Sequence, residues 1–93
     1  MAKSDLIKTA IAFLDWEEPW TFASVVLNQL SDDSGDRAIF ERIWAEACRS
    51  DNWQQADIAK CCDACDSWLK RGFSWLPEEA RAQFVRAASY QWK

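Results

Sequence analysis

Helix breakers are nearly missing from this chain, and the few it has fall where helices would begin or end. Its 93 residues include two glycines and two prolines. Gly35 lies in a polar run, Gly72 follows Lys70-Arg71, Pro19 follows Glu17-Glu18, and Pro77 precedes Glu78-Glu79. Proline suits the first turn of a helix, glycine its left-handed stop, and carboxylates the positive end of its dipole. Strand signals are poor: Val25-Val26 is the only adjacent β-branched pair, and no stretch alternates cleanly. The pattern predicts an all-α fold, a compact single-domain bundle of about five short helices over residues 1–93. No repeat, low-complexity segment or linker divides it.

The expected helices can be placed by their caps and apolar faces. The first runs from about Asp5 to Asp15, with Ser4 as N-cap and Leu6, Ile7, Ala10, Ile11, Phe13 and Leu14 along one side. The second has Pro19 in its first turn and Phe22, Val25, Val26 and Leu30 on its face. A polar turn, Ser31 to Asp36, leads to a third from Arg37 to Arg49, capped by Ser34 or Asp36. A capping box of Asp51 and Gln54 would open a fourth that runs to Arg71, with Gly72 as the left-handed stop. The last begins at Pro77-Glu78-Glu79 and carries Ala80, Phe84, Val85, Ala88 and Trp92.

The net charge of −4 is unevenly spread. From Met1 to Asp36 seven acids (Asp5, Asp15, Glu17, Glu18, Asp32, Asp33, Asp36) face Lys3 and Lys8, a balance of −5. From Arg37 onward nine bases and eight acids give +1. An acidic field of this kind repels nucleic acid and attracts basic protein surfaces. No apolar run approaches a membrane span, and the N-terminus has no signal-peptide pattern, so a cytoplasmic protein is expected.

Chemistry is sparse. The chain has no histidine, which removes the commonest general base and metal ligand. No nucleophile has a base beside it and no glycine loop could cradle phosphate. The adjacent carboxylates Glu17-Glu18, Asp32-Asp33 and Glu78-Glu79 point apart rather than into one pocket. Asp32-Asp33-Ser34-Gly35-Asp36 resembles a calcium loop but lacks its alternating ligands and closing glutamate. Arg37 and Glu41, like Arg42 and Glu46, are spaced to pair along a solvated helix face rather than to form a phosphate-binding stripe. An enzyme is not expected.

Cys48, Cys61, Cys62 and Cys65 form the one constellation with metal-like composition. On a helical wheel with Ile58 at zero, Leu69 falls near about 20°, Cys62 near 40°, Cys65 near 340°, Cys61 near 300° and Trp68 near 280°. The three cysteines then share an apolar stripe with Ile58, Leu69 and Trp68, as small buried hydrophobes in a reducing compartment. No cofactor is expected on that reading. The alternative is a four-cysteine zinc or iron–sulfur site, and a disulfide or redox pair is a third.

Seven tryptophans complete the picture. Trp44 and Trp68 fall on apolar faces and are expected in the core; Trp53, Trp75 and Trp92 lie near helix ends and could be core or surface. Trp16 and Trp20 stand in the charged connection Asp15-Trp16-Glu17-Glu18-Pro19-Trp20. Either can fold back as a hydrophobic staple, or the pair can anchor an interface ringed by carboxylates. The second reading makes Asp15, Trp16, Glu17, Glu18, Trp20, Asp32, Asp33 and Asp36 a partner-binding set for a basic protein surface.

Small size, acidity, a helix-only build and the turn Asp15 to Trp20 resemble the anti-CRISPR proteins of phages and mobile elements. The resemblance is one of type. It implies a protein of the host cytoplasm that inhibits by covering the nucleic-acid-binding groove of a CRISPR effector or nuclease, without binding nucleic acid or membrane itself. Two rivals stand beside it: the cysteine metal protein, and a self-associating structural component with Trp75 and Trp92 at a subunit contact.

Overall fold

The computed structural model describes residues 2–14, 16–30, 35–54 and 56–91, with side chains for all of these except residues 2–5, 50 and 91. Among them the regular elements are helices: α1 (Ala2–Ala12), α2 (Phe22–Gln29), α3 (Asp36–Ala47), α4 (Ile58–Gly72) and α5 (Glu78–Gln91). Short 3-10 turns at Pro19–Thr21 and Ser50–Trp53 punctuate the chain, and no strand occurs among the described residues. The protein is an all-α bundle. None of its described helices is long and apolar enough to cross a membrane.

Helix α5 is the hub, packing against α1, α3 and α4. Ala80, Phe84, Ala87 and Ala88 repeat at helical spacing and are all fully buried. The alanines let neighbouring helices approach, while the Phe84 ring fills the centre 5.4 Å from Phe22 and 5.1 Å from Phe40. The inward rows of α3 (Phe40, Ile43, Ala47) and α4 (Cys61, Cys65, Leu69) follow the same rule. One hydrophobic cluster joins all five helices.

The boundaries differ from the sequence expectations for local physical reasons. Helix α1 spans Ala2–Ala12 rather than Asp5 to Asp15. Its end is fixed from outside, by Gln83 of α5, whose Nε2 donates to the carbonyls of Ala10 at 3.0 Å and Phe13 at 2.9 Å. Pro19 opens the 3-10 turn instead of α2, and Thr21 closes that turn by donating its hydroxyl to the Glu18 carbonyl at 2.6 Å. Gly35, at φ 81°, is the N-cap residue of α3. A side chain is strained at that angle, so Gly35 rather than Gly72 is where the fold uses left-handed backbone. Gly72 ends α4 inside the helix, and Phe73 N–H then bonds the Leu69 carbonyl at 2.8 Å.

The predicted fourth helix is two elements. Asp51 does not cap it; Ser50–Trp53 forms a separate turn, and Asp57 caps α4 with Oδ1 accepting from Ala59 N–H at 2.9 Å. The turn residues are engaged with the end of α3. Trp53 Nε1 donates to the Ala47 carbonyl at 2.8 Å, and Asn52 Nδ2 to the Glu46 carbonyl at 3.0 Å. Those carbonyls belong to the last turn of α3; Glu46's also accepts from Arg49 N–H at 3.3 Å, and the added side-chain bonds offset the burial of Asn52 and Trp53.

Candidate functional site

The α1–α2 connection leaves large apolar side chains in water. Phe13 points inward, while Leu14 beside it is 83% exposed and Trp20 is 64% exposed. Glu17 and Glu18 between them are exposed. The connection is held from beneath by Trp16, which is half-buried: its ring meets Phe13 edge-on at 4.9 Å and stacks on Phe22 at 6.1 Å and on Tyr90 at 6.5 Å. The Arg86 guanidinium lies over the Trp16 ring, 4.2 Å from its centroid, in cation–π geometry. Tyr90 is itself partly exposed, and the turn Pro19–Thr21 packs on α5. Trp16 is thus a supported aromatic base, and the connection that carries it also exposes Leu14, Glu17, Glu18 and Trp20.

The expected site residues separate accordingly. Trp20, Glu17 and Glu18 lie on the surface together. Trp16 serves mainly as the connection's packed base. Asp36 is a correction: it is 0% exposed, in the first turn of α3, where the helix dipole favours a carboxylate. Buried there, it adds no surface charge. Asp15, Asp32 and Asp33 lie outside the described residues, as do Trp92 and the capping side chains of Ser4 and Ser34.

Leu14, Arg86, Tyr90 and Gln83 were not singled out in the sequence. Leu14 reads as part of the first helix's apolar side, and it swings out because that helix ends at Ala12. The others come from α5, roughly seventy residues further along the chain, and no local pattern in the sequence joins them to the turn.

No disulfide joins the four cysteines. Cys61 and Cys65 are buried with Leu69, and Cys48 and Cys62 are half-buried against the same cluster. Cys65 Sγ donates to the Ala47 carbonyl at 3.4 Å. Burial pushes the Cys65 thiol up to about 12, with Cys48, Cys62 and Asp66 adding to the shift, and pushes Cys48 up to about 11. These surroundings favour the neutral thiol, whereas a metal ligand must be thiolate. Among the described residues no group of three or more histidine, cysteine, aspartate or glutamate side chains is placed to hold a metal ion. The apolar stripe is centred on Cys61, Cys65 and Leu69 rather than on Ile58, which is 44% exposed. Trp68, expected in the core, is exposed instead, and its Nε1 donates to Glu46 Oε2 at 2.5 Å.

Comparison with known proteins supplies no relative: no family model, curated protein or solved structure matches the chain.

Proposed function

We propose that the protein is a non-enzymatic binding module that docks its α1–α2 connection on a basic protein surface. The target is a nucleic-acid-handling complex, and docking inhibits it by occupying the ground its phosphates would take, in the manner of anti-CRISPR proteins. The observation that carries the reading is the exposure of Trp20 and Leu14 beside the carboxylates of Glu17 and Glu18. Exposing an indole and a leucine on one connection is unfavourable for a protein that meets only water, and such groups anchor interfaces. The acidic balance of the first third steers association with a positive partner. Trp20 is the anchor, Trp16 its support, and Glu17 and Glu18 supply charge complementarity, with Asp15, Asp32 and Asp33 extending the acidic field. Asp36 has no part in the contact.

The test is paired capture from a plausible host lysate, with wild type, Trp20→Ala and Glu17→Lys/Glu18→Lys as baits. A basic nucleic-acid-binding protein should be retained by wild type and lost with both variants. Its association rate with wild type should fall as salt rises. A partner retained equally by all three baits would overturn the proposal.

A further inference from the structure

A second surface feature is built from other elements. Between α3 and the C-terminal end of α4 lies an open cavity of about 380 Å³, lined by Arg42, Glu46, Trp68, Arg71, Gly72 and Phe73. A smaller one of about 240 Å³ shares Arg42, Gly72 and Phe73 with it and continues to Trp75. The larger volume is within the range of small-molecule sites.

Its charges are unevenly committed. Glu46 does not pair with Arg42 as its spacing suggests; its Oε2 is shared by Arg49 Nη1 at 3.4 Å and Trp68 Nε1 at 2.5 Å. Arg49, which does not line the cavity, also lies 4.9 Å from the Trp68 ring centroid. The indole is thereby fixed at its N–H and against a guanidinium. Arg42 and Arg71, by contrast, make no ion pair or hydrogen bond among the described residues. In a chain of net charge −4, two uncommitted guanidiniums share one cleft with a fixed indole and a phenyl ring.

Gly72 adds an independent observation. Its backbone is not left-handed, so glycine is not demanded by conformation. A Cβ placed there would meet nothing within 4 Å, so glycine is not demanded by packing. Its bare backbone lines both cavities, so the two meet at a position without a side chain.

From this we infer that the α3–α4 cleft binds a small aromatic anion, its ring against Trp68 and Phe73 and its carboxylate or phosphate between Arg42 and Arg71. Guanidinium forks match either oxyanion, and the ring contact adds stacking that a bare ion cannot make.

The test follows the Trp68 indole N–H cross-peak, assigned with Trp68→Phe, in 1H–15N spectra of the full chain. The probes are 2-naphthoate, 2-naphthyl phosphate, 2-naphthalenemethanol and inorganic phosphate. At least one naphthyl anion should shift the peak saturably with Kd below about 1 mM, and the neutral alcohol about tenfold more weakly. The tighter of the two anions identifies the oxyanion class. Arg42→Gln and Arg71→Gln should each weaken it by about tenfold or more. Gly72→Leu should abolish it while the thermal midpoint stays level or rises, which separates a closed cleft from an unfolded chain. Absence of saturation by either anion up to about 10 mM would overturn the inference. So would unchanged affinity in both arginine variants, or an equal response to inorganic phosphate alone.

Discussion

The α1–α2 and α3–α4 connections use tryptophan in opposite ways. Between α3 and α4, Trp53 is buried with its N–H on the Ala47 carbonyl, and Asn52 takes the carbonyl before it. That connection closes over the end of α3. Between α1 and α2 the helix-end carbonyls are taken by Gln83 from α5, so no aromatic of the connection is needed as a cap. Trp16 packs among Phe13, Phe22 and Tyr90, and Trp20 remains in water. A buried indole N–H needs an acceptor, and an indole without one stays wet. The contrast shows when an aromatic in a charged turn becomes a docking candidate: when another residue has already capped the helix beside it.

The largest effect expected from breaking this contrast is at Trp53. Trp53→Ala should destabilise by about 3–5 kcal/mol in denaturant unfolding, through lost packing and the loss of the stronger of the two donors to the Ala47 carbonyl. A loss under about 1 kcal/mol would mean that the α3–α4 connection is not closed by its indole.

Alkaline pH probes the thiols packed beneath that same connection. Cys48 and Cys65 titrate in the fold at about 11 and about 12, against an ordinary value of 9.0. Both are raised, so the fold holds protons that the unfolded chain has already released. Stability should be complete below pH 9 and decline as pH climbs toward 11 and 12. Unfolding titrations of wild type and a Cys48→Ala/Cys65→Ala variant check this. The variant should show a flatter alkaline decline, and an identical decline would assign the loss to other groups.

At the open connection, Gln83→Ala should cost about 1–2 kcal/mol and speed amide hydrogen exchange around residues 13–16, because the Ala10 and Phe13 carbonyls lose their side-chain donor. Exchange unchanged there would show that α1 ends without help from α5. Smallest of all, Trp20→Ala should alter stability by no more than about 0.5 kcal/mol, the mark of a residue not held by the fold. A substantial loss of stability would identify Trp20 as structural and remove it from the docking surface.

The rows Cys61-Cys65-Leu69 and Ala80-Phe84-Ala88 were legible in the sequence because helical spacing is short-range. The caps were not. Gln83 reaches the α1 carbonyls across about seventy residues, and Asn52 and Trp53 cap α3 only because the expected capping box at Asp51 gives way to Asp57. Asp36 reads as surface in a run of polar residues, yet the left-handed Gly35 sets it inside the first turn of α3. The wheel placed Trp68 on the stripe, yet its indole lies outward against Glu46 and Arg49, partners the wheel does not include. Of the proposed docking surface, the charged aromatic turn was visible; the α5 residues that support it were not.

The contrast between the connections is tested most directly by solvent paramagnetic relaxation at the indole N–H cross-peaks, assigned by single tryptophan-to-phenylalanine variants. Trp20 should relax fastest, Trp16 at an intermediate rate, and Trp53 slowest, following their exposure in the fold. Trp20 protected as fully as Trp53 would contradict an open, aromatic docking surface at the α1–α2 connection.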